Sequence, residues 1–466
     1  MKIARLMTAV WAGKLTTSLS RMLGLGAGST YPGKIIRQID PQALVKLTRG
    51  FSQGTVMISG TNGKTTTSNM IAHVLKKAGK RITHNRAGAN LITGLTASLV
   101  ESCNFLARLR ADIGLFEVDE ATVPQASKEI RPQLMLVTNF FRDQLDRYGE
   151  LDYTAGLIRH SLPNLGREGK LLLNADDPLV ANLGQGLQRN VLYYGIEDNT
   201  LPTHEGVQAA DVKYCVSCGD LYEYGTMFYG HLGKYQCNKC GNARPIPHIY
   251  ACNLEFKSIT RTAFQVSTPQ GDFPVEIKLP GLYNVYNALA AVSCCLMLGL
   301  SLSEIKSGLE SFRPAFGRME QIQFPENQAL LILVKNPTGF NEVLRTMLID
   351  REPKNLLICI NDNYADGEDI SWLWDVDFEI LLLAKNKINF ALTAGIRGED
   401  MALRLKYAGL DTSKIEMEKN LKEALETSLH KLKPGENLYI LSTYTAMLEM
   451  RDLIQKKGYL KKYWEA

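Results

Sequence analysis

The stretch TVMISGTNGKTTTSNMIAHVLKKAGK, Thr55 to Lys80, constrains the fold more than any other part of the chain. Val56, Met57 and Ile58 read as a strand, and Met70, Ile71, Val74 and Leu75 recur at helical spacing. Between them lies Gly60-Thr61-Asn62-Gly63-Lys64-Thr65-Thr66. A strand that enters a glycine turn and leaves as a helix aims several backbone N–H groups, together with the positive end of the helix dipole, at one point. That point is an anion cradle. Gly60 and Gly63 permit the tight backbone, and Lys64 with Thr65 can hold phosphate and Mg²⁺.

The rest of the chain repeats the same rhythm. Apolar runs at Ile113–Val118, Leu134–Val137 and Leu171–Leu173 alternate with helical patterns, which predicts a doubly covered parallel sheet with its chemistry at the carboxyl ends of the strands. Those ends read Glu117-Val118-Asp119-Glu120, Thr138-Asn139-Phe140-Phe141-Arg142-Asp143 and Asn174-Ala175-Asp176-Asp177-Pro178. The rhythm pauses between Tyr214 and Pro247, then resumes with Phe264–Val266, Val275–Leu279 and a helical run from Asn284 to Leu298. A last region holds the apolar runs Leu330–Val334, Leu356–Ile360, Ile380–Leu383 and Leu438–Leu441, each expected as a strand. The expected units are an N-terminal helical segment (1–50), an ATP-binding α/β domain (51–316) carrying an insertion (214–247), and a smaller α/β domain (317–466).

The insertion announces its own chemistry. Cys215 and Cys218 in CVSC, and Cys237 and Cys240 in CNKC, have the spacing of a four-thiolate zinc ribbon. Four protein ligands leave no place for water, so this Zn²⁺ is expected to be structural. Two CxxC pairs among nine cysteines point to metal in a reducing compartment, hence a cytoplasmic location. Zinc ribbons often bind nucleic acid, but Lys234 and Lys239 are too few for a phosphate-binding stripe, and the net charge of +5 over 466 residues includes no uninterrupted basic tract. At the N-terminus, Lys14, Thr16, Thr17 and Arg21 interrupt the apolar residues, so the segment reads as an amphipathic helix rather than a signal peptide. Its role is either packing on the next domain or touching a membrane surface through Trp11 and the leucines. No run of about 18 apolar residues occurs, so no membrane span is expected.

Five motifs in order, GTNGKTTT (60–67), TNFFRDQLDRYG (138–149), NADDP (174–178), YNVYNALAA (283–291) and GRME (317–320), resemble those of the Mur ligases and folylpolyglutamate synthetases. The cysteine ribbon, followed by NDNYADGEDISWLWDVDFE, narrows the resemblance to the MurT family, the ligase-like subunits of lipid II isoglutaminyl synthase. The resemblance implies a Mur-ligase-like central domain with an inserted ribbon. It also implies amidation of the α-carboxyl of D-glutamate in lipid II at the inner membrane face, through an acyl phosphate. The ammonia would come from a GatD-type class I glutamine amidotransferase partner.

The family pattern assigns roles by position. Glu117 would complete the Mg²⁺ site with Thr65, Asn174 and Asn287 would lie near ribose and adenine, and Arg318 would meet the phosphates when the domains close. Asp369 would complete the partner's Cys-His pair. The residues alone leave plainer readings open: a helix cap for Glu117, turn formation for both asparagines, an interdomain salt bridge for Arg318, and a cap beyond a bend at Gly367 for Asp369. Two departures stand out. Gln144 replaces a usual metal-binding histidine, and no lysine lies between Gly149 and Gly169 to serve as a carbamylated ligand, so a second Mg²⁺ site is either missing or built differently. The competing functions are an amino-acid-adding ligase and a nucleic-acid-binding ATPase.

Overall fold

The computed structural model describes residues 2–22, 30–85, 89–142, 151–187, 190–201, 211–313, 318–349 and 352–460. Three helices open the chain: α1 (Lys2–Met22), α2 (Thr30–Ile39) and α3 (Ala43–Thr48). Ala9, Val10, Gly13 and Thr17 recur every three to four residues and form the buried stripe of α1. The helices meet closely there: a Cβ on Gly13 would lie 2.6 Å from Ile36 and 3.2 Å from Val100.

The central sheet is built from β1 (Thr55–Ser59), β2 (Ile82–His84), β3 (Ile113–Glu117), β4 (Leu134–Val137), β5 (Lys170–Asn174) and β6 (Val191–Ile196). A separate hairpin, β7 (Glu223–Tyr229) and β8 (Leu232–Gln236), comes next in the chain. Then β9 (Ile249–Ser258), β10 (Arg261–Thr268) and β11 (Gly271–Ile277) extend the sheet, whose order is β11-β10-β9-β6-β5-β4-β1-β3-β2. It is parallel from β2 through β9, and β9, β10 and β11 form an antiparallel wing. Every residue of β1, β3 and β4 is buried, as expected of strands covered on both faces. The covering helices are α4 (Lys64–Lys77), α5 (Ile92–Ser102), α6 (Val123–Ile130), α7 (Leu151–Ser161), the short α8 (Pro178–Asn182), α9 (Leu282–Met297) and α10 (Leu302–Ser311). Two hydrophobic cores result, one on each side of the sheet.

A second sheet follows. Its strands are β12 (Arg318–Gln323), β13 (Gln328–Leu333), β14 (Lys354–Cys359), β15 (Ile388–Ala394), β16 (Ile415–Glu418) and β17 (Asn437–Ser442), in the order β12-β13-β17-β14-β15-β16 with only β12 antiparallel. Helices α11 (Pro337–Ile349), α12 (Gly398–Tyr407), α13 (Leu421–Lys431) and α14 (Tyr444–Lys456) pack on it. One strand expectation fails. Ile380–Leu383 lies in a kinked 3₁₀ segment, Phe378–Lys387, and the strand is Ile388–Ala394 instead. Leu381 is buried there, but Leu383 is 84% exposed, and a short apolar run with one buried face is not distinguished from helix by hydrophobicity alone. The expected 316/317 boundary lies outside the described residues, as do Gln144 and Gly149. Among the described residues, no helix is long and apolar enough to cross a membrane.

Candidate active site and metal centre

β1 delivers the chain into the glycine turn at the sheet's carboxyl edge. Gly60 (φ +121°) and Gly63 (φ +83°) hold the left-handed backbone that side chains resist. Space forbids a side chain as well: a Cβ on Gly60 would lie 2.4 Å from Thr138 Oγ1, and one on Gly63 would lie 2.1 Å from Asn287 Oδ1. Gly63 caps α4, so the first helical residues, Lys64 to Thr66, stand at the positive end of the dipole. Asn139 steadies the loop from β4's end, accepting from Asn62 N at 2.8 Å and donating to Asn62 O at 3.1 Å, and Thr61 N donates to Asn139 O at 2.8 Å.

Four charged or hydroxylated groups gather beside this loop in two pairs. Lys64 Nζ folds back onto Gly60 O and Thr61 O and reaches Glu120 Oε2 at 3.0 Å. Burial raises the Glu120 carboxyl above the usual range, and the Lys64 charge opposes that rise. Thr65 Oγ1 donates to Glu117 Oε1 at 3.0 Å. The second oxygen, Glu117 Oε2, is buried with no hydrogen-bond partner. A buried carboxylate oxygen left without a donor, next to a hydroxyl, is an oxygen donor set of the kind Mg²⁺ takes. Glu117 is therefore not a helix cap: it ends β3, with its backbone N–H held by Asn85 Oδ1 at 2.8 Å.

A cleft of about 780 Å³, open to solvent, lies over the loop. Asn62, Gly63, Thr66 and Asn287 line one side, and Lys335, Asn336, Thr338 and Glu342, from the end of β13 and from α11, line the other. Asn336 Nδ2 bonds Asn62 Oδ1 at 3.1 Å and so joins the two domains across the floor. Glu342 is buried, which raises its carboxyl, while Arg345 at 2.6 Å pulls it back. None of these C-terminal residues was anticipated, nor was Tyr229, which also lines the cleft. A signal was present, since Lys335-Asn336 are polar residues directly after a buried strand.

The expected nucleotide residues separate. Asn287 reaches the cleft, with its carbonyl over Gly63 and accepting from Thr67 Oγ1 at 3.2 Å. Asn174 does not: it is fully buried, donates to Thr138 O at 3.2 Å and accepts from Asp176 N at 3.0 Å. The plainer reading, turn formation, describes its side chain. Its neighbours are equally committed. Asp176 accepts from Tyr286 OH at 2.6 Å and Ile196 N at 2.9 Å and pairs with Arg244. Asp177 caps α8 and accepts from Phe140 N at 2.8 Å. Arg318 begins β12, with its side chain outside the described residues.

The four cysteines come together as expected. All four Sγ atoms lie within 4.8 Å of one another, and the Cys215–Cys240 and Cys218–Cys237 separations are both 3.5 Å. Four sulfurs at ~2.3 Å from a tetrahedral zinc stand ~3.8 Å apart, so the cluster fits the ion. The two knuckles repeat one geometry: Gly219 N donates to Cys215 O at 2.8 Å and Gly241 N to Cys237 O at 2.9 Å, both glycines near φ +75°. Burial alone would raise the Cys215 thiol, but the Ser217 and Cys218 amides pull it down to about 6, while the crowded neighbouring sulfurs help to raise the Cys218 and Cys240 thiols. Lys234 pairs with Glu197 at 2.7 Å and Lys239 with Asp220 at 3.5 Å.

The ribbon does not stand apart from the domain. Its hairpin tip drives Phe228, Tyr229 and Leu232 into the central core. There Phe141 stacks on Tyr229 at 5.5 Å and packs against His231 at 4.7 Å. Gly233 N donates to Asp176 O at 2.9 Å. At the tip itself, a Cβ on Gly230 would lie 2.7 Å from Phe141 and 3.4 Å from Thr338 of the second domain.

On the second domain, the acidic segment after β14 sorts by burial. Asp366 is buried and holds both the backbone N–H (2.7 Å) and the hydroxyl of Thr445 in the first turn of α14. Asp362 pairs with Arg397 at 2.7 Å. Asp369 is exposed, accepts from Ser371 N at 2.8 Å, and is held below the usual carboxylate range by that amide and the Ser371 hydroxyl.

Comparison with known proteins converges with this geometry. Residues 58–295 match the Mur ligase middle domain and residues 333–447 the MurT ligase C-terminal domain. The lipid II isoglutaminyl synthase (glutamine-hydrolyzing) subunit MurT of Staphylococcus aureus (strain N315) is 37% identical over 87% of this chain and 88% of its own length. The corresponding subunit of Streptococcus pneumoniae (strain ATCC BAA-255 / R6) is 33% identical over 94% of this chain and 95% of its own. In fold, the chain is similar to a pseudomurein peptide ligase type C from Methanothermus fervidus, with a TM-score of 0.69 at 24% identity, covering 91% of this chain and 84% of that one.

Proposed function

Because this chain belongs to the MurT family of the Mur ligases, we propose that it is the ligase subunit of a cytoplasmic lipid II isoglutaminyl synthase. It converts the α-carboxyl of D-glutamate in the lipid II stem peptide to an amide, using ATP and ammonia from a GatD-like class I glutamine amidotransferase. The observation that carries this reading is the buried, unpartnered Glu117 Oε2 beside the Thr65 hydroxyl at the head of a phosphate-binding loop.

A carboxylate resists attack by an amine because oxide is a prohibitive leaving group. Attack of a substrate carboxylate oxygen on the γ-phosphorus, with loss of ADP, gives an acyl phosphate. Ammonia then adds to the carbonyl carbon, phosphate departs with the C–O bonding electrons, and the nitrogen sheds a proton. Gly60 to Thr66 cradle the phosphates with their amides, and Lys64 leaves Glu120 to face the β/γ-phosphates. Thr65 and Glu117 would hold Mg²⁺, which neutralises charge on the transferring group. Asn287 would contact the nucleotide from α9, and Arg318 would bring positive charge to the phosphates from the second domain only when the cleft is closed. The test supplies ATP, Mg²⁺, a lipid II substrate and either ammonium or free amino acids. Isoglutaminyl product with ammonium alone supports the reading, whereas amino-acid adducts would move the chain to the amino-acid-adding ligases.

The five cysteines outside the ribbon are poor nucleophiles, which supports a separate glutaminase. Burial pushes the Cys103 and Cys359 thiols up to about 12 and raises those of Cys294 and Cys295, and the half-buried Cys252 is raised as well. The purified chain is expected to release no glutamate from glutamine, as read by a coupled glutamate assay; measurable release would remove the two-subunit reading.

The ribbon's zinc is structural on this reading. Cys240→Ser alters an exposed side chain, so its cost is the metal's contribution alone. Metal analysis should show zinc lost, and Tm should fall by roughly 5 °C, the shift that about 2 kcal/mol produces in a domain of this size. Unchanged metal content and Tm would refute the assignment.

A further inference from the structure

The N-terminal helix presents an apolar stripe to solvent. On α1 the residues opposite the buried stripe are Thr8, Trp11, Leu15, Leu19 and Met22, with Trp11 55% and Leu15 64% exposed. A monomer does not normally line up large apolar side chains in this way on an outer helix face. Nor is the stripe isolated. The loop between α5 and β3 folds around Asn104, whose Oδ1 accepts from Leu106 N at 2.9 Å and Arg108 N at 3.0 Å. That turn holds Phe105 (67% exposed) and Leu106 outward. Trp11 Nε1 donates to Phe105 O at 2.7 Å, and Lys14 Nζ donates to Glu101 O at 3.3 Å and lies 5.8 Å from the Phe105 ring centre. Helix and loop are one surface.

Charge selects what covers it. Residues 1–50 contain eight Lys and Arg and one acidic residue, Asp40, which Lys46 holds. The chain's whole formal charge of +5 is thus more than supplied by this segment. Arg5 is exposed on α1, Lys34 on α2, and Arg108 and Arg110 on the loop. An apolar stripe with a tryptophan, a pair of protruding apolar side chains and a basic surround is the composition that partitions into the headgroup boundary of an anionic bilayer.

We propose that the face formed by α1 and the 104–110 loop docks on an anionic membrane surface. The apolar side chains enter the headgroup boundary and the basic residues meet lipid phosphates. This goes beyond the ligase reading and is separable from it, because the probe is a vesicle that contains no lipid II.

The experiment is sedimentation of the full chain with vesicles of phosphatidylcholine containing about one third phosphatidylglycerol, against vesicles of phosphatidylcholine alone. Binding is expected only with the anionic lipid. It should weaken as salt is raised, because headgroup attraction is screened within a Debye length. The vesicles should blue-shift tryptophan emission, a shift absent from Trp11→Phe. The double variant Leu15→Glu, Leu106→Glu changes only exposed positions and should lower the apparent partition constant about 10-fold or more while keeping its Tm and its ATP turnover on a soluble substrate. Equal binding to both vesicles, binding to neither, or binding indifferent to the double variant overturns the proposal. So does vesicle-free self-association that the double variant abolishes, since the patch would then belong to a second copy of the chain.

Discussion

Thr65→Ala is expected to abolish amidation, lowering ATP-dependent turnover on the order of 10³-fold whether nitrogen is supplied as ammonium or through the partner. The substitution removes one hydroxyl from the head of α4, a half-buried position, and leaves the two cores intact. What it removes is the group hydrogen-bonded to Glu117 Oε1, and with it half of the oxygen pair proposed for the metal. Thr65→Ser is the informative partner. It restores the hydroxyl without the methyl and should recover activity to within about 10-fold of the parent, because the metal contact is made by oxygen. Tm of both variants is expected to stay within about 2 °C, since position 65 fills no core. Near-parental turnover of Thr65→Ala would take the phosphate-binding loop out of the mechanism.

Asp369→Asn should divide the two nitrogen sources. Glutamine-dependent amidation is expected to fall on the order of 10²-fold or more, while ammonium-driven amidation stays within about 2-fold of the parent. Asp369 is exposed on the second domain and charged, and it caps Ser371 N with a bond that an asparagine Oδ1 can also accept. Fold and surface shape are therefore preserved and only the charge is lost. On the proposed reading that charge would orient the histidine of the partner's Cys-His pair and stabilise its protonated form. Asparagine keeps the hydrogen-bonding shape but not that electrostatic support. Asp366→Asn is the contrast. Its carboxylate holds the first turn of α14 through Thr445, so its loss should lower Tm and reduce both nitrogen routes together. If Asp369→Asn lowered both routes equally, or neither, the orienting role would be withdrawn.

These predictions rest on parts of the chain that differ in how readable they are. The glycine turn is local: strand, turn and helix occupy consecutive residues, so periodicity and two glycines suffice to find them, and the knuckles are just as local. Glu117 was reachable because a strand's carboxyl end is a general place for chemistry. Asn174 also stands at a strand end, but that position does not reveal that Thr138 and Asp176 engage its side chain. On the far wall of the cleft, Lys335-Asn336 could be noticed as polar residues after a strand, but what they face could not. Asn336 meets Asn62 across 274 residues, and no local pattern encodes that meeting. Strand β15 was missed because its neighbour Ile380–Leu383 is as apolar as a strand yet exposes Leu383.

The embedded hairpin tip has a consequence for how such a chain can change. Insertions between strands are commonly dispensable, because they lie over a finished surface and can be trimmed to a turn. This one cannot be trimmed in that way. Removing residues 214–247 would withdraw Phe228, Tyr229 and Leu232 from the central core and open a hole beside Phe141 and Tyr286. It would also take Tyr229 from the lining of the cleft and deprive the buried Asp176 carboxylate of its counter-charge by deleting Arg244. A lineage could shed the metal only by first refilling that space from another element. Grafting the ribbon onto a ligase that lacks it would in turn demand a vacancy of matching shape.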